Sequence, residues 1–428
     1  MLIWLSIIIF MIAMALGAPV AFAILFGSLF YFLLSPDVPA SILVQRMIAG
    51  VDSFTILAVP FFVLAGTVMS RGGITDRLLR LADSLVGHFK GGLGHVNVLQ
   101  SVFIGGMCGS ANADAAIDCK TLVPVMVKYG YSKAFTCSVT AASGIIAAII
   151  PPSLAFVIYA LIAEVSIGRL FIGGIIPGLL IAAAEMVVVA IISQRRGYGG
   201  ARSERAQWPE VAKFIKESSW ALMMPVILIG GLRLGVFTPT ELGAVAVIYA
   251  LIVGTFVYKE IKLKDIPGVL LEATLTTCAI MFIIGSAMTM GYILTWEMVP
   301  QKMVAFTLSL TSNKYVVLML INVILLVLGC FFESLSMMII LTPLLAPVLT
   351  KLGVDLVHFG LIMTVNIGIG GITPPVGTIL YTVCAITGVP VRVMMKDLYL
   401  FIVALIAVLF LLTFVPEITL FLPRLVFG

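Results

Sequence analysis

Apolar stretches long enough to cross a bilayer follow one another along nearly the whole chain, and this leaves few ways to fold it. A helix of about 17–25 apolar residues spans the hydrocarbon, and apolar sequence fills residues 2–34, 55–69, 97–193 and 268 to the end. With 61% of its 428 residues hydrophobic and 11% charged, the chain lacks the polar side chains to cover a soluble surface. An all-α polytopic membrane protein is the expected fold class. Residues 2–34, interrupted at Gly17-Ala18-Pro19, read as one long broken helix or two short ones. The opening MLIWLSIIIF has no basic region and no small-residue cleavage site, so it reads as a first membrane segment.

The charged residues lie mostly between these stretches. Residues 71–92 place leucines at helical spacing among basic and acidic residues, the pattern of an interfacial amphipathic helix. Residues 193–219 are the most hydrophilic segment and carry more Arg and Lys than acids, which predicts a cytoplasmic position. They divide the chain into membrane units 1–192 and 220–428, and the basic loop 259–265 is expected on the same side. A net charge of +5 spread over loops suits a membrane protein and not a nucleic-acid binder. The six cysteines (Cys108, Cys119, Cys137, Cys278, Cys330 and Cys384) occur singly and read as small core residues. His88, His95 and His358 show no ligand spacing. HExxH, GxSxG and nucleotide-binding glycine patterns are absent, so an enzyme is not expected.

The two units are related by a repeat. LVPVMVKYG (122–130) matches LAPVLTKLG (345–353) at an offset of 223, and the same offset carries Pro151-Pro152 onto Pro374-Pro375 and Arg169 onto Arg392. FFVLAGTVMS (61–70) resembles MFIIGSAMTM (281–290) at a slightly different offset.

Each unit carries two interruptions that lipid would not tolerate. NIGIGGITPPVGT (366–378) and SGIIAAIIPPS (143–153) combine glycine, proline and polar residues. Such backbone survives at membrane depth only where protein buries it or it lines a watery cavity. Discontinuous helices facing the interior are predicted there. Irregular elements also precede the shared LxPVxxKxG, at 105–120 and 329–343, and read as re-entrant hairpins with small or polar tips. Paired interruptions in two repeats point to a transport site near the midplane.

Unwound turns expose carbonyls, which together with Ser, Thr and Asn oxygens suit a small hard cation such as Na⁺. Half-helix N-termini suit an anionic group. Ser110, Asn112 and Gly144 form one candidate ion half-site; Ser334, Ser336, Asn366, Gly370 and Thr373 form the other. Asp114, Pro151, Pro152, Glu333, Pro374, Pro375 and Thr378 are candidates for the substrate side. Helix capping is the alternative role for Ser110, Asn112, Asp114, Glu333 and Thr373. Asp118 and Lys120 are expected to neutralise each other.

GSANADAAI, IIPPS, the LxPVxxKxG pair, FTPTELGAVAVIYA (237–250) and NIGIGGITPPVG resemble the large membrane subunit of TRAP (tripartite ATP-independent periplasmic) transporters, and the resemblance runs over essentially the whole chain. It implies an elevator-type ion-transporter fold of two inverted repeats, residing in a bacterial inner membrane. It further implies Na⁺-driven uptake of an organic acid such as sialic acid, a C4-dicarboxylate or a sugar acid. The implied partners are a small four-helix membrane subunit and a soluble periplasmic substrate-binding protein. A stand-alone Na⁺/carboxylate symporter of the same architecture is the alternative. A channel would instead show a continuous polar stripe along one helix set.

Overall fold

The computed structural model describes residues 2–202 and 204–428, except for the side chains of Ala15, Met107 and Cys108. Among them all regular structure is helical. Among the described residues seven helices are long and apolar enough to cross a membrane: Phe54–Arg71, Ile167–Arg196, Trp208–Arg233, Pro239–Val257, Leu263–Trp296, Ser334–Lys351 and Val391–Phe414.

The repeat read from sequence is present element by element. Ser41–Val51 with Phe54–Arg71, then Ile74–Val86, Gly92–Cys108, Ala111–Lys128, Lys133–Ala147, Leu154–Ala163 and Ile167–Arg196, form the first series. They recur in order as Ile266–Trp296, Val299–Leu310, Lys314–Gly329, Ser334–Lys351, Leu356–Gly371, Thr378–Thr387 and Val391–Phe414. Each series contains a helical hairpin, a helix broken at the Pro-Pro pair, and a long closing helix.

The two series interlock. The returning arm of the first hairpin, Ala111–Lys128, packs on the far half of the second broken helix, Thr378–Thr387; its counterpart Ser334–Lys351 packs on Leu154–Ala163. The closing helices likewise exchange, Val391–Phe414 lying on Lys133–Ala147 and Ile167–Arg196 on Leu356–Gly371. The exchange buries the first halves of the broken helices from Ala134 to Ala147 and from Val357 to Gly371. Both halves of the chain thus build one core. Around it stand Leu2–Ala15, Val20–Leu34, the paired helices Ala58–Arg71 and Pro239–Ile252, and Ile266–Trp296. Their outer faces expose large apolar side chains such as Trp4, Phe22, Leu33, Leu271 and Leu275, as a lipid-facing surface requires.

Several expectations are refined. Residues 2–34 form two helices, Leu2–Ala15 and Val20–Leu34. The amphipathic segment is the helix Ile74–Val86, but its apolar face is spent on protein. Ile74, Leu78, Leu81 and Ala82 are buried, and the helix packs on Gly92–Cys108 and Trp208–Arg233. Helices Ile167–Arg196 and Trp208–Arg233 reach into the hydrophilic segment from both sides. Only 197–207 joins them outside a helix, and Ser203 there lies outside the described residues. The cysteines divide: Cys119 and Cys137 are buried, Cys330 and Cys384 half-buried and Cys278 exposed, all free. The side chain of Cys108 lies outside the described set.

Candidate functional site

The two broken helices end alike. At the first, Ala148 N–H and Ile149 N–H donate to Ile145 and Ile146 carbonyls at 3.1 and 3.0 Å, the tightened i−3 pattern of a helix end. At the second, Ile372 and Thr373 N–H donate to Ile369 and Gly370 carbonyls at 3.2 and 3.0 Å. These bonds bypass the Gly144 and Gly368 carbonyls, the ordinary i−4 acceptors. The prolines add no N–H, and helix resumes only at Leu154 and Thr378.

The hairpin tips are shorter than the sequence suggested. Helix resumes at Ala111 and Ser334, so the irregular backbone shrinks to Gly109–Ser110 and to Cys330–Glu333. Each tip is tied to its own break. Gly109 O accepts Leu154 N–H at 3.4 Å, and Cys330 O accepts Val376 and Gly377 N–H at 3.1 and 3.0 Å. Gly109 has φ +57°, and a Cβ there would sit 2.3 Å from Pro152 O, so only glycine fits. Deeper down, a Cβ on Gly370 would meet Gly329 Cα at 2.6 Å, and one on Gly105 would meet Ala147 Cα at 2.8 Å. These positions correspond in the two repeats, and both let the outgoing hairpin arm touch the broken helix.

The tips meet at one cavity, of about 70 Å³, room for a few waters. Gly109, Ser110, Ala111 and Asn112 line it from the first hairpin; Glu333, Ser334, Leu335 and Met338 from the second. Ala148, Leu154 and Ala155 of the first broken helix and Thr364, Ile367 and Gly368 of the second complete it. Three helix N-termini, at Ala111, Leu154 and Ser334, therefore abut this space. Their partial positive charge favours an anion.

Ser110, Asn112, Glu333 and Ser334 are thus brought together, and Asn112 Oδ1 is buried with no hydrogen-bond partner. Capping is also observed. Ser110 Oγ accepts Ala113 N–H at 3.5 Å, and Glu333 Oε2 accepts both Ser336 N–H and Ser336 Oγ–H at 3.0 Å. Glu333 sits at the cavity with its charge turned onto a helix start.

The other expected residues lie off the cavity lining. Gly144 is on an intact helix against Ala111 O, and Ser336 is held within the Glu333 cap. Thr373 Oγ–H bonds back to Ile369 O at 2.7 Å. Gly370 is the contact to Gly329. Thr378 Oγ1 is buried and unpartnered at the restart of the second broken helix. Pro151 and Pro152 are buried, Pro374 half-buried and Pro375 exposed; all four shape the breaks from outside the cavity. Asp114 turns away, its Oδ2 accepting Ser101 Oγ–H at 2.6 Å. The pairing of Asp118 with Lys120 is overturned: Asp118 is fully buried and bonded to Gln100, while Lys120 is exposed. Two positions apart on one helix, the side chains diverge.

Sequence reasoning missed Thr364, Ile367 and Gly368, the lining residues of the second broken helix. It also missed two polar clasps. Asn97 Nδ2–H donates to Thr140 Oγ1 at 2.9 Å and its Oδ1 accepts Ser143 Oγ–H at 2.7 Å. In the second repeat Asn366 Nδ2–H donates to Asn322 O and Oδ1 at 3.0 and 3.1 Å, and Asn322 Nδ2–H to Thr413 Oγ1 at 2.9 Å. Asn366, expected as an ion ligand, is half committed to this clasp, although its Oδ1 remains buried and unpartnered.

The chain is similar to known proteins along its whole length. Residues 7–418 match the family described as tripartite ATP-independent periplasmic transporter, DctM component. The sialic acid TRAP transporter large permease protein SiaM of Vibrio cholerae is 40% identical over 412 residues, 96% of each chain. The C4-dicarboxylate TRAP transporter large permease protein DctM of Pseudomonas aeruginosa is 36% identical, covering 93% of this chain and 92% of that one. The isethionate TRAP transporter permease protein DctMQ of Oleidesulfovibrio alaskensis is 38% identical over 96% of this chain and 65% of its own length. Among solved structures the YdaH transporter of Alcanivorax borkumensis shares the fold, with a TM-score of 0.65, 14% identity and 90% of each chain covered. Whole-length family membership, the multiple apolar helices and the transporter fold agree: this chain is a multi-pass bacterial inner-membrane protein, a transporter and not an enzyme, belonging to the DctM family of TRAP transporter large permeases.

Proposed function

We propose that this chain is the large membrane subunit of a Na⁺-coupled importer of an organic acid, moving its cargo by an elevator motion. The observation that carries the reading is the single cavity where both hairpin tips and both broken helices converge. Half-helix N-termini at Ala111 and Leu154 suit a carboxylate, whereas the Glu333 cap already counters the one at Ser334. The donors for Na⁺ are neutral oxygens at the cavity, the bypassed Gly368 carbonyl together with Asn112 Oδ1. Orphaned acceptors of this kind fit a small hard cation. The substrate class is supported by the relatives, whose names specify sialic acid, C4-dicarboxylate and isethionate; all are organic acids.

A cavity this small suits a closed state, which a moving body must open. The interlocked hairpins and broken helices would form that body, and Leu2–Leu34, Ala58–Arg71 and residues 208–310 the support. We further propose that a small four-helix subunit and a periplasmic binding protein complete the transporter, in keeping with its tripartite family. The test is radiolabelled Na⁺ influx into vesicles containing the assembled transporter. Influx should rise on addition of the transported acid and fall when Asn112 is replaced by Ala. Substrate uptake with no accompanying Na⁺ would contradict the coupling.

A further inference from the structure

Behind the cavity, the first repeat holds polar chemistry that the second lacks. Asp118, on the returning arm of the first hairpin, is fully buried, as are Gln100 on the outgoing arm and Glu185 on the closing helix Ile167–Arg196. Gln100 Nε2–H donates to Asp118 Oδ1 at 2.7 Å. The other ends of both groups, Gln100 Oε1 and Asp118 Oδ2, are buried with no partner, and both Glu185 oxygens are likewise unpartnered. The fold does not require this arrangement. At the offset of 223, Asp118 corresponds to Leu341 and Glu185 to Val408, and the segment matching Gln100 and Ser101 is the apolar run Val323–Leu326.

An ionised carboxylate and an amide carbonyl are both acceptors, so neither can satisfy the other. One proton repairs both ends. Placed on Asp118 Oδ2, it turns one unpartnered acceptor into an O–H donor, the kind of group that the orphaned Gln100 Oε1 lacks, while Nε2–H keeps Oδ1. We propose that Asp118 and Gln100 form a proton-binding site, an acid–amide pair that holds one proton at neutral pH. The bond formed is O–H on Oδ2 and the bond broken is an O–H of hydronium, which is left as water; no other group changes.

Among the described residues no cation bonds to Asp118 or Glu185: Lys120, Lys128 and Lys133 on the pair's own and adjoining helices are exposed, and His95 on the outgoing arm is buried against Phe89. Asp114, one turn earlier on the same helix, has its Oδ2 occupied by Ser101 Oγ–H, and its Oδ1 is buried without a partner. The thiols around the arm are Cys119, Cys137 on the first broken helix and Cys384 on the second. Helix Ile74–Val86, packed on the outgoing arm, carries Asp76, Arg77, Arg80 and Asp83; Arg77 bonds to Gly73 O and pairs with Glu260, and Asp83 pairs with Arg202. On Trp208–Arg233, also against that arm, Glu210 pairs with Arg202 and Lys213 with Glu217, while Lys216 and Arg233 form no pair among the described residues. On Ala58–Arg71, Arg71 pairs with Glu272, and on Ile167–Arg196, Arg196 pairs with Asp397. None of these cations bonds to Asp118 or Glu185. Among the described residues no three His, Cys, Asp or Glu side chains are grouped to hold a metal ion, which favours the proton over a metal.

The test needs the membrane-reconstituted chain alone, so its outcome is independent of the transport reading. Infrared spectra in neutral buffer should show the carbonyl stretch of a protonated carboxyl that shifts in deuterated water. Asp118→Asn should remove intensity from that band, Asp118→Glu should retain it, and Gln100→Leu should shift the pH at which the band is lost. A spectrum unchanged by Asp118→Asn, or a band whose titration ignores Gln100→Leu, would overturn the proposal.

Discussion

Asn112 and Asn366 look alike in sequence, each beside an interruption, yet their surroundings separate them. Asn112 Oδ1 is an orphaned acceptor at the cavity, whereas the Asn366 amide anchors the outgoing arm of the second hairpin through Asn322. Replacing Asn112 by Ala should therefore weaken the Na⁺ dependence of uptake while leaving the unfolding temperature in detergent unchanged. Asn366→Ala should cost about 1–3 kcal/mol, the penalty of a broken buried polar contact, and lower that temperature. Equal thermal stability of the two variants would remove the distinction. The difference was invisible in the sequence because Asn322 and Thr413 lie 44 and 47 residues from Asn366. Which face of a buried helix meets them is a matter of packing. The same reason hid Thr364, Ile367 and Gly368, ordinary residues in an apolar run, misplaced Asp114 relative to the cavity, and gave Asp118 the wrong partner.

At the scale of elements, the sequence was far more informative. A Pro-Pro pair cannot continue a helix whatever surrounds it, and its recurrence at an offset of 223 located both breaks within a few residues. The hairpins were legible in kind but drawn too long. Ser110 and Glu333 are helix caps, so the polar residues that suggested irregular chain start helices within a residue or two. Replacing Pro374 and Pro375 by Ala should let Leu356–Gly371 run on toward Thr378. It would also draw Val376 and Gly377 N–H away from Cys330 O and release the second hairpin tip. Uptake should fall although intrinsic helix propensity rises. Wild-type uptake by the double variant would show that the break has no role in transport.

Across the whole molecule, the exchange of helices between the two repeats makes the hairpins and broken helices one body, and the outer helices contact it at a few places. One of these is close enough to lock. A Cβ at Gly106, on the first hairpin, would lie 3.9 Å from Pro225 Cβ on the outer helix Trp208–Arg233, within the range of about 3.5–4.5 Å that a disulfide spans. In a background free of other cysteines, oxidised Gly106→Cys/Pro225→Cys should stop uptake and reduction should restore it. Turnover by the crosslinked protein would replace the elevator motion with local gating. The most direct measurement of the account as a whole is an omission experiment in vesicles. Labelled organic acid should enter only when this chain, the small membrane subunit and the loaded binding protein are all present, with Na⁺ outside. Leaving out any one of the four should reduce uptake to that of protein-free vesicles. Uptake of free acid by this chain alone would contradict the tripartite reading and identify a stand-alone symporter.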